Sequence, residues 1–325
     1  LTAEEEGAMQ GQLATVFGAS GFIGRNIVRE LAARGMRVNA VCRDAEHAKF
    51  LKPMGVVGQV TPMRADVTDP AAVARAVAGA DVVINLVGIL YQSGRNTFDA
   101  VQASAPGTIA KAAADAGARA LVHVSAIGAD ADSRSAYARS KAAGEAAVRA
   151  AFPAATILRP SIVFGANDSF FNRFAAMAQV MPFLPLIGGG ANKFQPVCVD
   201  DVADAAIAAL ERPDAAGKTY ELGGPSTYTF RQLLELMLVE LRRKRCLVSL
   251  PFWLASLQAT FMELLPVPPL TRDQVELLKR DNVVSPGALT LADLGIDPTP
   301  LEIVLPTYMD AYRLGGRYAS GRAHA

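Results

Sequence analysis

The segment Leu13-Ala-Thr-Val-Phe-Gly18-Ala-Ser-Gly21-Phe-Ile-Gly24 joins a short apolar run to three glycines. Beyond it, Ile23, Ile27 and Leu31 recur at the spacing of one helical face. Glycines between a strand and a helix leave backbone N–H groups open to a phosphate and place no side chain in its way. The segment therefore predicts a pyrophosphate-binding turn, although a tight turn without any ligand would also select glycine. The residues expected to contact the nucleotide here are Gly18, Ser20, Gly21, Phe22, Ile23, Gly24 and Arg25.

Strands alternate with helices over the next 140 residues. Apolar runs predict strands at 13–19, 37–43, 60–66, 81–88, 120–127 and 155–164, with helices near 22–34, 70–79, 98–116 and 135–151. Strands that are apolar throughout and separated by helices are typical of a parallel sheet covered on both faces. The predicted fold class is α/β, a Rossmann doubly wound parallel sheet with a smaller C-terminal lobe.

The regular alternation weakens after Gly165, where proline and glycine become frequent and helices are expected near 200–211, 230–243, 271–281 and 300–314. We expect a nucleotide-binding domain at 13–165, to which strand and helix elements of 195–225 return. The remainder, 166–325, is expected to form the smaller lobe and a docking surface.

The composition restricts the classes of function. The chain has 325 residues, of which 51% are hydrophobic, and its formal net charge is +1, so no overall field would attract nucleic acid. The three cysteines, Cys42, Cys198 and Cys246, lie far apart, and their spacing indicates neither a disulfide framework nor a metal site. We expect a reducing compartment, no metal and no nucleic-acid partner.

The end of the second predicted strand indicates which nucleotide is bound. A site for NAD places a carboxylate there for the ribose 2′-hydroxyl, whereas a 2′-phosphate is held by arginine. Cys42 occupies the usual acidic position, Arg43 follows it, and Asp44 comes one step too late. This pattern favours NADP(H), with Arg25 as a second positive charge. The alternative is that Arg43 is a solvated charge at the end of a strand.

Two further strand ends are candidate contacts. Asp66 and Val67 follow the third strand, where a carboxylate could accept from the adenine amino group; Asp66 could equally cap the helix that opens at Pro70. Leu86, Val87 and Gly88 end the fourth strand, and the glycine would let the nucleotide backbone lie close. All five residues are expected contacts with the nucleotide.

A phenol and an ammonium group lie four residues apart at Tyr137 and Lys141, and so on one face of a helix. In short-chain dehydrogenases/reductases, which this pattern resembles, the lysine holds the nicotinamide ribose and the tyrosine exchanges a proton with the substrate. The segment 158–165, Leu-Arg-Pro-Ser-Ile-Val-Phe-Gly, resembles the strand that brackets the nicotinamide in the extended branch of that family. Its expected contacts are Pro160, Ile162 and Val163.

The hydroxyl that normally polarises the substrate carbonyl is missing from its expected place. Ile127 occupies that position, and Ser125, two residues earlier, is expected to contact the nucleotide instead of a substrate. The loop from Ser125 to Tyr137 is also short, so it supplies few residues to line a substrate pocket. His123, inside an apolar strand, is expected to be a hydrogen-bonded core residue. This arrangement favours a binding site over a catalyst, with Tyr137 and Lys141 catalytic only if the chain is active.

Several segments together resemble one atypical branch of this family. They are His123-Val124-Ser125, Ser135-Ala-Tyr137-Ala-Arg-Ser-Lys141-Ala-Ala-Gly144-Glu145, Gln195-Pro196-Val197-Cys-Val199-Asp200-Asp201-Val202, Gly224-Pro225-Ser226-Thr-Tyr228, Leu250-Pro251-Phe252, Thr271-Arg272-Asp273-Gln274-Val275-Glu276, Asp293-Leu294-Gly295-Ile296 and Thr299-Pro300-Leu301-Glu302. From Gly18 to about Tyr312 the chain resembles the nucleotide-binding accessory subunits of respiratory complex I, NADH:ubiquinone oxidoreductase. The C-terminal segments matter most, because other reductases diverge there.

The resemblance implies NADPH held structurally, at the junction of the peripheral and membrane arms of the complex, with other complex I subunits as partners. A start that resembles no presequence leads us to expect a bacterial chain, peripheral on the cytoplasmic face of the inner membrane, or on the matrix side if it is a processed eukaryotic chain. A basic cluster at 242–245 precedes an apolar stretch at 247–265. Together they predict an amphipathic segment that docks on partner subunits or lipid headgroups. An ordinary core helix with a charged end is the alternative, and the interruptions of 247–265 by polar residues and proline argue against a membrane span.

Two functions of different classes remain open from the sequence. One is a non-catalytic NADP(H)-binding accessory subunit that stabilises a membrane complex. The other is a free NADP-dependent reductase, dehydratase or epimerase that acts on a sugar nucleotide or a small carbonyl compound. Ile127 and the C-terminal segments favour the first, and the intact pair of Tyr137 and Lys141 keeps the second open.

Overall fold

The computed structural model describes residues 9–313 and 316. In chain order its strands are β1 Leu13–Phe17, β2 Arg37–Cys42, β3 Val60–Arg64, β4 Val82–Asn85, β5 Ala120–Val124, β6 Thr156–Pro160, β7 Val163–Phe164, β8 Phe183–Ile187, β9 Lys193–Phe194, β10 Val197–Cys198, β11 Thr219–Leu222, β12 Tyr228–Thr229 and β13 Cys246–Leu250. Its α-helices are α1 Phe22–Ala33, α2 Pro70–Val77, α3 Ala105–Asp115, α4 Ala136–Ala151, α5 Phe171–Val180, α6 Val199–Glu211, α7 Phe230–Glu240, α8 Phe252–Met262, α9 Arg272–Leu277 and α10 Leu301–Met309.

The chain folds into two compact units. Of the described residues, unit 1 contains those up to Pro160 together with Asp200–Glu221 and Gly287–Ile296, and unit 2 contains Ser161–Val199, Leu222–Pro286 and those from Asp297 on. The chain thus leaves unit 1 at Pro160, five residues before the expected boundary. The return of 287–296 to unit 1 was not expected from the sequence. The last residues of the expected lobe, 317–325, lie outside the described part of the chain.

A seven-stranded sheet forms the centre of unit 1, in the order β11-β6-β5-β4-β1-β2-β3. The pairs from β3 through to β6 are all parallel. Strand order reverses between β1 and β4, and in doubly wound sheets the ligand crevice lies at the carboxyl ends of the strands at this place. The expected Rossmann fold is confirmed.

Helices cover the sheet because their apolar residues recur on one face. In α1, Ile27, Val28 and Leu31 are fully buried, and each such side chain contributes about 2 kcal/mol through removal from water. The N-caps are local: Asp69 accepts from the Ala71 N–H at the start of α2, and Ser135 accepts from the Ala138 N–H at the start of α4. Asp66 does not cap α2, so that alternative for Asp66 is wrong.

The helix expected at 98–116 has a different first part, since Asp99–Ser104 forms a π-helical turn before α3 begins. Pro106 has no N–H to donate to the carbonyl of Gln102, four residues earlier, so the ordinary α-helical bond is impossible there. A π turn is one way to accommodate such a break, and such turns are frequent at functional sites.

Unit 2 consists of short elements around an aromatic core. Its three two-stranded sheets pair β7 with β10, β8 with β13 and β9 with β12. Phe170 lies 5.0–6.4 Å, between ring centroids, from four other rings: Phe171, Phe174, Phe194 and Phe230. The run 155–164, expected as one strand, is divided between β6 and β7 in different sheets, and α5 and β8 were not expected.

The segment 247–265 also differs from the expectation of one amphipathic stretch. It contains strand β13 and helix α8, and Pro251, which precedes the helix, separates them. Within α8 only Ala255 and Ala259 are buried, while Trp253 and Phe261 are 70% and 66% exposed. The helix is therefore apolar on its exposed side as well, and the expected polar face is missing.

One buried carboxylate organises the interior of unit 2. The Asp168 side chain accepts from the backbone N–H groups of Gly165, Phe171 and Asn172, which caps the start of α5. The Tyr308 hydroxyl in α10 donates to the same carboxylate at 2.7 Å. Burial raises the pKa of Asp168, and these four donors oppose that shift.

We expect Tyr308→Phe to lower the free energy of unfolding by about 1.5–3 kcal/mol, because a buried hydrogen bond to a charged group is lost. Urea unfolding followed by circular dichroism measures the change. Tyr312→Phe is the matched control, since the Tyr312 hydroxyl donates at 2.8 Å to the neutral amide oxygen of Asn172 at a half-buried site. Its cost should be about 0.5–1.5 kcal/mol. Equal costs for the two variants would contradict the assigned role of Asp168.

Candidate functional site

The glycine turn after β1 has the geometry of a phosphate cradle. Gly18 has φ +81°, which favours glycine, and its N–H donates to the Val41 carbonyl of β2. A Cβ at Gly24 would lie 2.2 Å from the Gly18 carbonyl oxygen, so only glycine permits this close passage of helix and strand. Gly21 is the N-cap of α1 and supplies no side chain to bond the first N–H groups. The helix terminus is thus free to bind an anion.

Arg25 places a positive charge next to this turn. Its guanidinium donates to the carbonyls of Ser20 and Gly21, at 3.2 and 3.3 Å, and lies 5.1 Å from the centre of the Phe50 ring. These contacts fix the side chain at the start of α1. Ser20, Phe22 and Ile23 are half-buried in the same turn.

The side chains at the end of β2 differ in exposure and in hydrogen bonding. Cys42 is buried and Arg43 is exposed. The Asp44 carboxylate is occupied, since it accepts from the N–H groups of Glu46 and His47 and caps the following turn. Asp44 Oδ1 thus serves this turn, and Arg43 is the exposed positive side chain at the end of the strand.

Asp66 lies close to two positive side chains. It accepts from the backbone N–H and the hydroxyl of Thr68, and these bonds lower its pKa, with smaller contributions from the charges of Arg95 and Arg43. The carboxylate is therefore ionised at neutral pH. Arg95 comes from the connection after β4 and was not predicted from the sequence, because nothing local marks it as part of a site. Val67 is half-buried beside Asp66.

The carboxyl end of β4 lies beside β1 on one side and beside the Lys141 and Gln102 side chains on the other. The Leu86 N–H donates to the Phe17 carbonyl of β1, which continues the sheet past Asn85, and Val87 is half-buried after it. A Cβ at Gly88 would lie 3.3 Å from the Lys141 ammonium nitrogen and 3.4 Å from the Gln102 amide oxygen. The expectation of a small residue here thus has a physical reason in the closeness of these two side chains.

Tyr137 and Lys141 lie one turn apart on α4, as the spacing predicted. The Lys141 Nζ is buried, donates to the Val124 carbonyl at 3.3 Å and lies 5.9 Å from the centre of the Tyr137 ring. Burial lowers the pKa of Lys141 to about 8, although the nearby Glu145 carboxylate opposes the shift. Phe98 packs edge-on against Tyr137 with ring centroids 6.0 Å apart.

Two buried polar atoms on β5 and just beyond it have no hydrogen-bond partner within the described residues: Ser125 Oγ and His123 Nε2. The other His123 ring nitrogen, Nδ1, lies 3.1 Å from the amide nitrogen of Asn85, and burial with the charge of Lys141 lowers its pKa to about 3. His123 is therefore a neutral, buried residue, in agreement with the sequence. A bound ribose or carboxamide would satisfy the Ser125 hydroxyl, and Ile127, 9% exposed, offers no such group.

The last three predicted contacts are divided between the units. Pro160 ends β6 in unit 1, and its carbonyl accepts from the Ile127 N–H. Ile162 and Val163 lie in unit 2, where the Ile162 N–H donates to Asn282 Oδ1 and Val163 pairs with Val197. The Ile162 amide is thus already bonded within unit 2.

Unit 1 as described fits a nicotinamide dinucleotide. The glycine turn and the start of α1 would hold the pyrophosphate, Arg43 and Asp66 lie on the adenosine side, and Gly88, Ser125, Tyr137 and Lys141 lie on the nicotinamide side. The sequence profile of the NAD dependent epimerase/dehydratase family matches residues 14–223. The chain belongs to this family.

Relatives within the family include mitochondrial proteins called NADH dehydrogenase [ubiquinone] 1 alpha subcomplex subunit 9. The protein of Arabidopsis thaliana is 39% identical over 95% of this chain and 80% of its own length. The protein of Mus musculus is 37% identical over 91% of this chain and 79% of its own length. The expected resemblance to the accessory subunits of complex I is confirmed.

The fold likeness extends to solved enzymes. The dTDP-glucose 4,6-dehydratase of Streptomyces venezuelae, solved with NAD bound, has a TM-score of 0.71 and is 21% identical, and the match covers 93% of this chain and 97% of that one. This likeness concerns the fold. The family membership establishes a nicotinamide dinucleotide site; the choice between NAD(H) and NADP(H) is a separate matter.

We expect Lys141→Met to stabilise the nucleotide-free protein at pH 7 by on the order of 3 kcal/mol, because it removes a buried charge whose pKa is about 8 in the folded state against 10.5 in the reference. Between these two values the unfolded chain binds more protons, so wild-type stability should rise with pH. From pH 7 to pH 9.5 the wild type should gain about 2 kcal/mol relative to the variant.

Urea unfolding at both pH values measures the difference. Lys111→Met is the matched control, since Lys111 is an exposed lysine paired with Asp115 on α3. That variant should keep the pH dependence of the wild type. A parallel pH dependence of Lys141→Met and wild type would mean that the Lys141 ammonium is not buried as described.

Proposed function

We propose that this chain is a non-catalytic, NADP(H)-binding accessory subunit of respiratory complex I that stabilises or assembles the junction of the peripheral and membrane arms. One observation carries the proposal: the similarity to the alpha subcomplex subunit 9 proteins covers 91–95% of the chain. The family profile itself ends at residue 223, so the further similarity lies in unit 2 and in the segment Gly287–Ile296 of unit 1. Similarity confined to the nucleotide site would have supported any member of the family equally.

The choice of NADP(H) over NAD(H) rests on charges at the adenosine side. Arg43 is exposed at the end of β2, the Asp44 carboxylate is engaged in a turn, and Arg25 is fixed at the start of α1. A 2′-phosphate adds about two negative charges, which arginine binds through charge-assisted hydrogen bonds. A carboxylate in place of Cys42 would have opposed it.

The proposal that the chain is non-catalytic is based on the residues at the nicotinamide side of the site. Lys141 can bind the ribose hydroxyls, and Tyr137 can hold a proton at its phenol oxygen. These two residues can therefore bind and orient the nicotinamide ribose. When bound, the nicotinamide would supply hydride chemistry. Ile127, however, offers no hydroxyl to polarise a carbonyl where the family has one. The alternative, a free NADP-dependent reductase, epimerase or dehydratase, is favoured by the close pair of Tyr137 and Lys141 alone.

Unit 2 exposes apolar side chains that suit a peripheral subunit. Trp253, Leu257, Phe261 and Leu264 are all at least half exposed on or just after α8. In the basic cluster, Arg243 and Arg245 donate to carbonyls of unit 2, while Arg242 and Lys244 are exposed. We propose that the stretch 242–265 contacts other subunits of the complex and, through the basic residues, lipid headgroups.

The described helices include none with the length and apolar character of a membrane span. We propose a peripheral location on the membrane-arm side of the complex. The cytoplasmic face of a bacterial inner membrane remains the location predicted from the sequence, and the mitochondrial matrix side is the equivalent place in a processed eukaryotic chain.

The nucleotide released by denaturing the purified protein should be NADP(H), identified by liquid chromatography and mass spectrometry. Arg43→Asp should weaken NADPH binding by about 1.5–3 kcal/mol, roughly 10- to 150-fold, because it replaces a charged hydrogen-bond donor by a repelling carboxylate. Arg37→Asp is the control, since Arg37 begins the same strand at its opposite end and changes the net charge equally. Release of NAD(H) alone, or equal effects of both variants, would refute NADP(H) selection by Arg43.

In the organism, Gly21→Val should reduce the amount of assembled complex I on native gels, because the added side chain blocks the pyrophosphate turn. Tyr137→Phe should leave NADH:ubiquinone turnover by the assembled complex almost unchanged, since it removes one hydroxyl near the ribose, worth about 0.5–1.5 kcal/mol of affinity. A working reductase would instead lose about 10²–10⁴-fold in its reaction. Loss of turnover in Tyr137→Phe with normal assembly and bound nucleotide would overturn the structural role.

A further inference from the structure

Gln102 joins two parts of unit 1 that are far apart in the sequence. Its side chain is buried in the π turn Asp99–Ser104. The amide oxygen accepts from the Ile89 N–H at 2.9 Å, and the amide nitrogen donates to the Ser140 hydroxyl at 3.0 Å. One neutral side chain thus connects the backbone after β4 with the middle of α4.

The Ser140 hydroxyl extends this connection to the predicted nicotinamide residues. It donates to the Tyr137 carbonyl at 2.8 Å, and Ser140 lies between Tyr137 and Lys141 in the sequence. On the other side, Ile89 follows Gly88, whose hypothetical Cβ would lie 3.3 Å from Lys141 Nζ. The Gln102 amide therefore lies beside the narrow space between Gly88 and Lys141.

The backbone of Gln102 is also in close contact with α4. Because Pro106 has no N–H, the Gln102 carbonyl cannot take the ordinary α-helical bond. A Cβ at Gly144 in α4 would lie 2.1 Å from this carbonyl oxygen, so α4 and the π turn are in close contact there. The Gln102 backbone therefore lies against α4, in a π turn that Pro106 follows and at a contact that Gly144 permits.

We propose that Gln102 is a positioning residue that sets the separation between the Gly88–Ile89 backbone and the Tyr137/Lys141 face of α4, and thereby holds the nicotinamide ribose end of the nucleotide. This proposal rests on the proposed nucleotide-binding function. It concerns the nicotinamide end alone, because the Gln102 hydrogen bonds reach neither the glycine turn nor Arg43. Loss of the Gln102 amide should therefore affect one end of the dinucleotide and spare the other.

The test compares NADPH with adenosine 2′,5′-bisphosphate, which carries the 2′-phosphate and lacks the nicotinamide ribose. Gln102→Leu keeps the size of the side chain and removes both hydrogen bonds. Titration calorimetry should show about five- to tenfold weaker binding of NADPH, the effect of one to two hydrogen bonds, with binding of the bisphosphate within about twofold of wild type. The fluorescence of bound NADPH, which reports the surroundings of the nicotinamide, should also decrease.

Gln92→Leu is the matched control. The Gln92 amide oxygen also accepts from a backbone N–H, that of Phe98, in the same connection after β4, and it is bonded to neither Ile89 nor Ser140. This variant should bind both nucleotides as the wild type does. Equal weakening of NADPH and the bisphosphate in Gln102→Leu, or no weakening of either, would overturn the proposal.

A second variant covers the case in which Gln102→Leu does not fold. Ser140→Ala keeps the bond from the Ile89 N–H to the Gln102 amide oxygen and removes the acceptor of the Gln102 amide nitrogen, so the ratio of the two affinities should shift in the same direction by about two- to fivefold. An unchanged ratio refutes the role of Gln102 and leaves the proposed nucleotide-binding function intact. If the folded wild-type protein binds neither compound, the nucleotide-binding function fails and the role of Gln102 fails with it.

Discussion

The buried ammonium group of Lys141 is the constraint on which the site depends. It has one backbone acceptor, the Val124 carbonyl, and burial lowers its pKa to about 8, so the folded protein without nucleotide keeps a costly charge inside unit 1. The surrounding residues limit that cost. Glu145 opposes the pKa shift, and its carboxylate is fixed by a two-point ion pair with Arg159 at 2.7 and 2.9 Å. A charge that is expensive to bury and is nevertheless held in one place is typical of a ligand site.

The same constraint explains the small residues around it. Gly88 leaves room for the Lys141 ammonium, and Gly144, one turn after Lys141 in α4, admits the Gln102 carbonyl. Larger residues at either position would move α4 away from the end of β4. The glycine turn after β1 follows the same principle, because Gly24 permits the passage of α1 beside the Gly18 carbonyl. Close backbone approach thus shapes both ends of the predicted nucleotide site.

Local patterns in the sequence predicted the elements of unit 1 well, since strand and helix periodicities and the pair of Tyr137 and Lys141 are short-range signals. They could not predict which distant residues meet. Gln102 and Ser140 are 38 positions apart. Pro106 is visible in the sequence, but it does not by itself show whether the helix before it ends, kinks or forms a π turn. In unit 2, Asn282 bonds Ser161 and Ile162 from 121 and 120 positions away, at the place where the run 155–164 divides into two strands. Short elements that depend on such distant contacts carry little local periodicity.

The proposed structural role for the nucleotide can be compared with the free energies that the site implies. A ligand present at about a thousand times its dissociation constant stabilises the folded state by about 4 kcal/mol. Burial of the Lys141 charge costs on the order of 3 kcal/mol in its absence, as the pKa of about 8 implies. The two terms are similar in size, so binding at that level of saturation would offset the cost of burying the Lys141 charge. Chemistry on the nicotinamide is not needed for this effect. Under the proposed function, a subunit with such a site would make the stability of a larger assembly depend on the supply of nucleotide, without proton transfer by Tyr137.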